Sequence, residues 1–197
     1  INLGDNFVIS HEGIFFSHWN RRQLLKDDPV YLEKCRLIEN NGIAVYRYHD
    51  YVHRTKPDCI TAGLLKSLKW EKYETKSSQI ASILEVPSIE LRDVVEHIKK
   101  ELKVPYVRVI GDMSMPCRRI GTLVGYRGSG ESVIPLFSEE DPDLVIYGEG
   151  PEWETPEYVR DAVQQGRHKA LIVIGHAESE MPGMEFVARQ IKEKIPE

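Results

Sequence analysis

Long apolar runs are missing from this chain. None approaches the roughly 20 residues that cross a bilayer, and no secretory leader is visible, so no membrane partner is expected. Cysteine is scarce: Cys35, Cys59 and Cys117 are the three in 197 residues, and no two are in CxxC spacing. An odd, scattered set argues against a disulfide framework and for free thiols in a reducing compartment, which makes a cytoplasmic location the expectation. A basic surplus is lacking too. With 26 basic against 31 acidic residues the net charge is −5, which argues against a large nucleic-acid surface. No internal repeat or low-complexity segment stands out. Neither does an initiator methionine, since Ile1 comes first; a processed or truncated product, with a segment missing in front, is the expectation.

What is present is an alternation of short apolar runs and helical patterns, the mark of an α/β protein. Strands are expected at Asn6–Ser10, Ile43–Tyr46, Val107–Ile110, Arg119–Val124, Asp143–Tyr147 and Leu171–Ile174. A helix should start at Asp27-Asp28-Pro29, carry Tyr31, Cys35 and Ile38 on one face, and stop at Asn40-Asn41-Gly42. Another should follow Asp58 with Ile60, Leu64, Leu65 and Leu68 inward. A third is expected over about Ser88–Leu102 with Ser88 as its cap, and one more through Tyr158 and Val163 to Gly166. Lys69–Ser78 reads as a loop or sheet edge. The glycine-rich Gly125–Gly130 loop fits neither the Walker nor the Rossmann spacing, so a plain turn competes with a phosphate cradle.

The most organised stretch is Leu171–Glu180, LIVIGHAESE. Its apolar run reads as a strand buried on both faces, released by Gly175 into a turn where His176 meets a crevice. Ser179 is then expected to cap the next helix, with Glu180 and Pro182 in its first turn. An imidazole and a carboxylate four residues apart suit a metal. Taken alone, they equally suit a turn-ordering histidine and an acid complementing the helix dipole. His11 and Glu12 follow the first expected strand, with Gly13 permitting a kink. His49, Asp50 and His53 follow the second, and Glu149 follows Gly148 at another strand end. Oxygen and nitrogen donors without thiolates suit zinc, iron or manganese, and their surplus over four favours two divalent ions, which would activate a bound water.

The segments Asn6–Phe16, Ile43–His49, Val107–Asp112, Gly125–Gly130 and Gly175–Gly183 together resemble the NGG-interacting-factor-three family. Members carry a dinuclear metal centre and are described as type 2 GTP cyclohydrolase-like. The resemblance spans nearly the whole chain, the closing His-x-x-x-Glu-x-Pro-Gly block being its most specific part. It implies metal ligation by His11, Glu12, His53, His176 and Glu180. Glu12 stands where the family has a second histidine, and His53 where it has an aspartate. Ligand count is kept while charge moves between segments, as in a divergent branch.

The resemblance further implies one domain of two similar interleaved α/β lobes, about 1–103 and 104–197, with mixed sheets flanked by helices and the metal site at their junction. The usual N-terminal strand and helix are absent ahead of the first histidine segment. A ring-shaped homohexamer is implied as well. Two activities are consistent with this. One is a metal-dependent hydrolase of a nucleotide or phosphorylated small molecule, with Glu12 as ligand or base and Arg119 or Arg127 as weak candidates for a substrate phosphate. The other is a non-catalytic metal-binding ring that scaffolds or regulates partners.

Overall fold

The structure is a computed structural model describing residues 4–19 and 21–195. It consists of two compact units, Ile1–His53 and Arg54–Glu197.

In the first unit, β1 (Phe7–Ser10) and β2 (Ala44–Arg47) pair in parallel, Phe7 opposite Ala44 and Ser10 opposite Arg47. The connection is α1 (Pro29–Asn40), which starts as its sequence dictates. Asp28 Oδ1 accepts the Tyr31 N–H at 2.9 Å, and Pro29 occupies the first turn, where its missing donor is not needed. Both strands thus run the same way and deliver His11-Glu12 and Tyr48-His49 from the same end. Ahead of the helix expected after Asp58 the chain also forms α2 (Asp50–His53), a single turn closed by His53 N–H on the His49 carbonyl at 3.3 Å.

The second unit holds α3 (Cys59–Ser67), β3 (Glu74–Ser77), β4 (Ser82–Glu90), α4 (Leu91–Leu102), β5 (Arg108–Ile110), β6 (Pro116–Thr122), α5 (Gly130–Glu139), β7 (Leu144–Tyr147), α6 (Thr155–Gln164), β8 (Ala170–Val173) and α7 (His176–Lys194). Its six strands form one mixed sheet in the order β3-β4-β6-β7-β8-β5. β6, β7 and β8 are mutually parallel, joined through α5 and α6, while β3, β4 and β5 pair antiparallel. Val145, Tyr147 and Leu171 on one face pack with Val133 and Phe137 of α5 and Val159 of α6. Leu144, Ile146 and Ile172 alternate to the other face and are fully buried too, which is why these strands read as unbroken apolar runs.

Two expected boundaries move. Ser88 does not cap a helix, because Ser82–Glu90 is a long strand between β3 and β6, and α4 begins only after Glu90. Its pairing with β6 shifts register between Glu85 and Ile89, around Pro87, which has no N–H for the ladder. Nor does Ser179 cap α7. At φ +118° Gly175 turns the chain directly from β8 into the helix, so His176 opens it and Pro182 lies inside.

Candidate metal-binding residues

In the first unit four histidines gather where β1 and β2 end. His11 and His49 stack at 4.6 Å between ring centroids, and His53 stands edge-on to each at 5.0 Å. His18 meets His49 edge-on at 4.8 Å. His11 Nδ1 lies 3.2 Å from the Tyr48 carbonyl, which it serves as donor, so Nε2 is the nitrogen able to accept a cation. His49 Nδ1 is 2.8 Å from Asp50 Oδ1, and its Nε2 is 3.2 Å from Glu12 Oε1. Asp50 thus holds one nitrogen of the His49 ring and leaves the other facing Glu12.

Two donor groups result, each with its ligand atoms within 4.8 Å of one another: His11, His49 and His53, and Glu12, His18 and His49. His49 belongs to both. His18 is a residue that spacing did not reveal; it lies past the Gly13 kink, in a segment without strand or helix periodicity. Its Nδ1 lies 3.0 Å from Arg47 Nη2 and 3.4 Å from Glu12 Oε2, so it either accepts from the arginine or donates to the acid.

Burial is the largest influence on Glu12 and works to raise its carboxyl, but His49, His18 and the Gly13 N–H outweigh it and hold the group below the usual range. Burial lowers His49, aided by neighbouring His11 and His53 and opposed by Asp50 and Glu12. A neutral imidazole beside an ionised carboxylate is the protonation state that a cation requires.

In the second unit β6, β7 and β8 end side by side, where an open α/β sheet presents its crevice. Glu149 follows β7 by two residues, and His176 follows β8 by three. His176 Nδ1 lies 3.0 Å from Glu149 Oε2, and its Nε2 lies 3.2 Å from Glu180 Oε2 one helical turn on. The Glu180 contact first, then Glu149, pushes the His176 imidazole up to about 9.

Gly125, after β6, has φ +57°, and a side chain there would run into the Glu180 carboxylate. Ser179 ties this loop to the helix: its Oγ accepts the Gly125 N–H at 2.9 Å and donates to the His176 carbonyl at 2.8 Å. The glycine-rich loop thus seats a carboxylate. Neither arginine proposed for substrate phosphate stands ready for it. Arg127 pairs with buried Asp58 at 3.0 Å, and Arg119 is held by Glu85 and Glu140.

The Duf34/NIF3 (NGG1p interacting factor 3) family profile matches residues 1–197. The chain belongs to the Duf34/NIF3 family. No curated protein matches it. Among solved structures it is similar to a Staphylococcus aureus hypothetical protein, SA1388, at TM-score 0.72 and 19% identity, covering 99% of this chain and 76% of that one. A Bacillus cereus protein related to NIF3 gives TM-score 0.72 at 14% identity, over 98% and 79%. Reduced HcgD from Methanocaldococcus jannaschii gives 0.69 at 14%, over 98% and 73%. These likenesses establish the NIF3 fold for this mixed α/β chain. Among its described residues no helix is long and apolar enough to cross a membrane.

Proposed function

We propose that this Duf34/NIF3 protein is a metal-dependent hydrolase holding two divalent ions, zinc, iron or manganese, and acting on a nucleotide or another phosphorylated small molecule. The observation that carries the reading is the imidazole cluster of His11, His49 and His53, whose ring nitrogens converge within 4.8 Å with no thiolate among them. Such a donor set fits a borderline transition ion.

His11, Glu12, His53, His176 and Glu180 would ligate, with His49 as a further nitrogen donor. Bound ions supply Lewis acidity and an activated water at neutral pH. The chain's own contribution is orientation and proton handling. Tyr48 and Asp50 fix the ring positions of His11 and His49. Glu12, kept ionised, serves as ligand or as the base receiving the proton of the attacking water. Glu149 accepts from His176 Nδ1 and so turns Nε2 toward Glu180. A ring-shaped homohexamer belongs to the same proposal.

The test is elemental analysis of tag-free protein beside His11→Ala and His176→Ala, followed by a screen of nucleotides and phosphoesters. About two ions per chain, halved or lost in each variant, with hydrolysis that follows metal content, is the expected result. A wild-type chain that takes up no metal from zinc, iron or manganese would overturn the reading. Two tightly held ions with no turnover on any phosphorylated substrate would instead mark a metal-binding scaffold.

A further inference from the structure

The first unit contains a cavity of about 240 Å³ lined by Ser10, Gly13, Phe15, His18, Arg22 and Arg47 together with Ile14 and Val45. No carboxylate is among its described lining residues, the nearest acid to Arg47 being Glu12, whose Oε2 lies 3.9 Å from Nη2, although the chain as a whole carries a net charge of −5. Two guanidiniums on one small concavity are therefore a local reversal of sign. Arg22 lies over the Phe15 ring, 4.5 Å from Cζ to centroid, so its charge is held at the wall. Arg47 is oriented by His18: Nη1 donates to the His18 carbonyl at 3.2 Å, and Nη2 lies 3.0 Å from its ring nitrogen.

Within this lining, Ser10 Oγ and Arg47 Nε are buried and have no hydrogen-bond partner among the described residues. A buried donor left unmade costs about 1–3 kcal/mol, more when charged, so two in one lining point to a partner that arrives from outside. The partner must accept hydrogen bonds and carry negative charge. A tetrahedral oxyanion does both and matches the arginine fork.

The cavity is smaller than the roughly 300–1,000 Å³ of a complete small-molecule site, so it takes one end of a ligand. His18, in its wall, is also in the donor group with Glu12 and His49. We propose that this cavity is the phosphate subsite of the substrate, with Arg47, Ser10 and Arg22 as its binding residues and the reacting bond toward Glu12. The assignment rests on the hydrolase reading for its substrate. Phosphate binding itself does not need the metals.

The test is calorimetric titration of inorganic phosphate into the whole, chelator-treated chain at fixed ionic strength. Saturable binding is expected, weakened roughly tenfold or more in Arg47→Gln and about threefold to tenfold in Ser10→Ala, and unchanged in Arg160→Gln, an exposed arginine of α6. Arg47→Lys should recover part of the loss through charge alone. Circular dichroism identifies any variant that fails to fold, and Ser10→Ala, which removes a single hydroxyl, keeps the test open if Arg47→Gln does. The proposal is overturned by absence of saturable binding, by equal affinity in Arg47→Gln and Ser10→Ala, or by acetate competing as strongly as phosphate. Phosphate binding that persists in a chain that takes up no metal would sink the hydrolase reading and keep the anion site. Metal-dependent turnover without metal-free phosphate binding would sink the subsite alone.

Discussion

His176 Nε2 lies 3.2 Å from Glu180 Oε2, one turn apart at the start of α7, which makes a proton the competitor of any metal at this ring.

With its pKa raised to about 9, His176 is an imidazolium at neutral pH in the metal-free chain. Metal uptake there must release that proton, so affinity should climb about tenfold per pH unit between about pH 7 and 9 and then level off. Zinc titrations across that range check this; an affinity independent of pH contradicts it. The stability sign follows from the same shift. A pKa raised from 6.5 to about 9 stabilises the metal-free fold fully below 6.5, and the contribution fades as pH rises through 9. Denaturant midpoints of chelated protein should fall over that window, and less so in Glu180→Gln.

Gly63→Ala should destabilise the protein although Gly63 lies in a helix, where alanine is normally the better residue by about 0.5–1 kcal/mol. A Cβ at Gly63 would come 2.5 Å from the Gly183 Cα and 2.7 Å from the Pro182 carbonyl, both backbone atoms that cannot step aside. Separating α3 from α7 is expected to cost about 1–3 kcal/mol or more. A thermal melt decides it, since the two effects have opposite signs.

Removing one hydroxyl in Ser179→Ala should cost about 1–3 kcal/mol, because Gly125 N–H loses its acceptor in a fully buried setting. Metal affinity should drop as well, since this bond fixes Gly125 beside the Glu180 carboxylate. Unchanged stability would show that water replaces the hydroxyl.

Burial, then the Asp143 charge, pushes the Cys117 thiol up to about 12. At pH 8 it should resist iodoacetamide in native protein while half-buried Cys35 and Cys59 react, and should alkylate at once in denaturant. Mass spectrometry of the three cysteine peptides reads this directly.

Much of the framework is local chemistry and was legible before any coordinates. Asp28-Pro29 and Asp58 mark helix starts because a carboxylate meets orphan N–H groups within three residues. Leu144–Tyr147 and Ala170–Val173 announce themselves because both faces are covered. β4 was not legible: Val86-Pro87-Ser88 looks like a stop followed by a cap, and only pairing with β3 and β6 holds Ser82–Glu90 extended. The α7 boundary was misplaced for a related reason. Ser179 has the chemistry of a cap, but its hydroxyl serves the Gly125 loop 54 residues away.

The candidate ligands divide along the same line. By itself the sequence determined the donor inventory, since His11, Glu12, His49, His53, His176 and Glu180 all follow apolar strand signals and their side-chain chemistry is intrinsic. Tertiary structure alone decided their neighbours. It set Asp50 against His49 and Glu149 against His176, drew His18 and Arg47 beside Glu12, and sent Arg119 and Arg127 to ion pairs. The reason is range: strand and helix signals act over a few residues, whereas a hydrogen-bond partner or a ligand cluster exists only once distant segments are folded together.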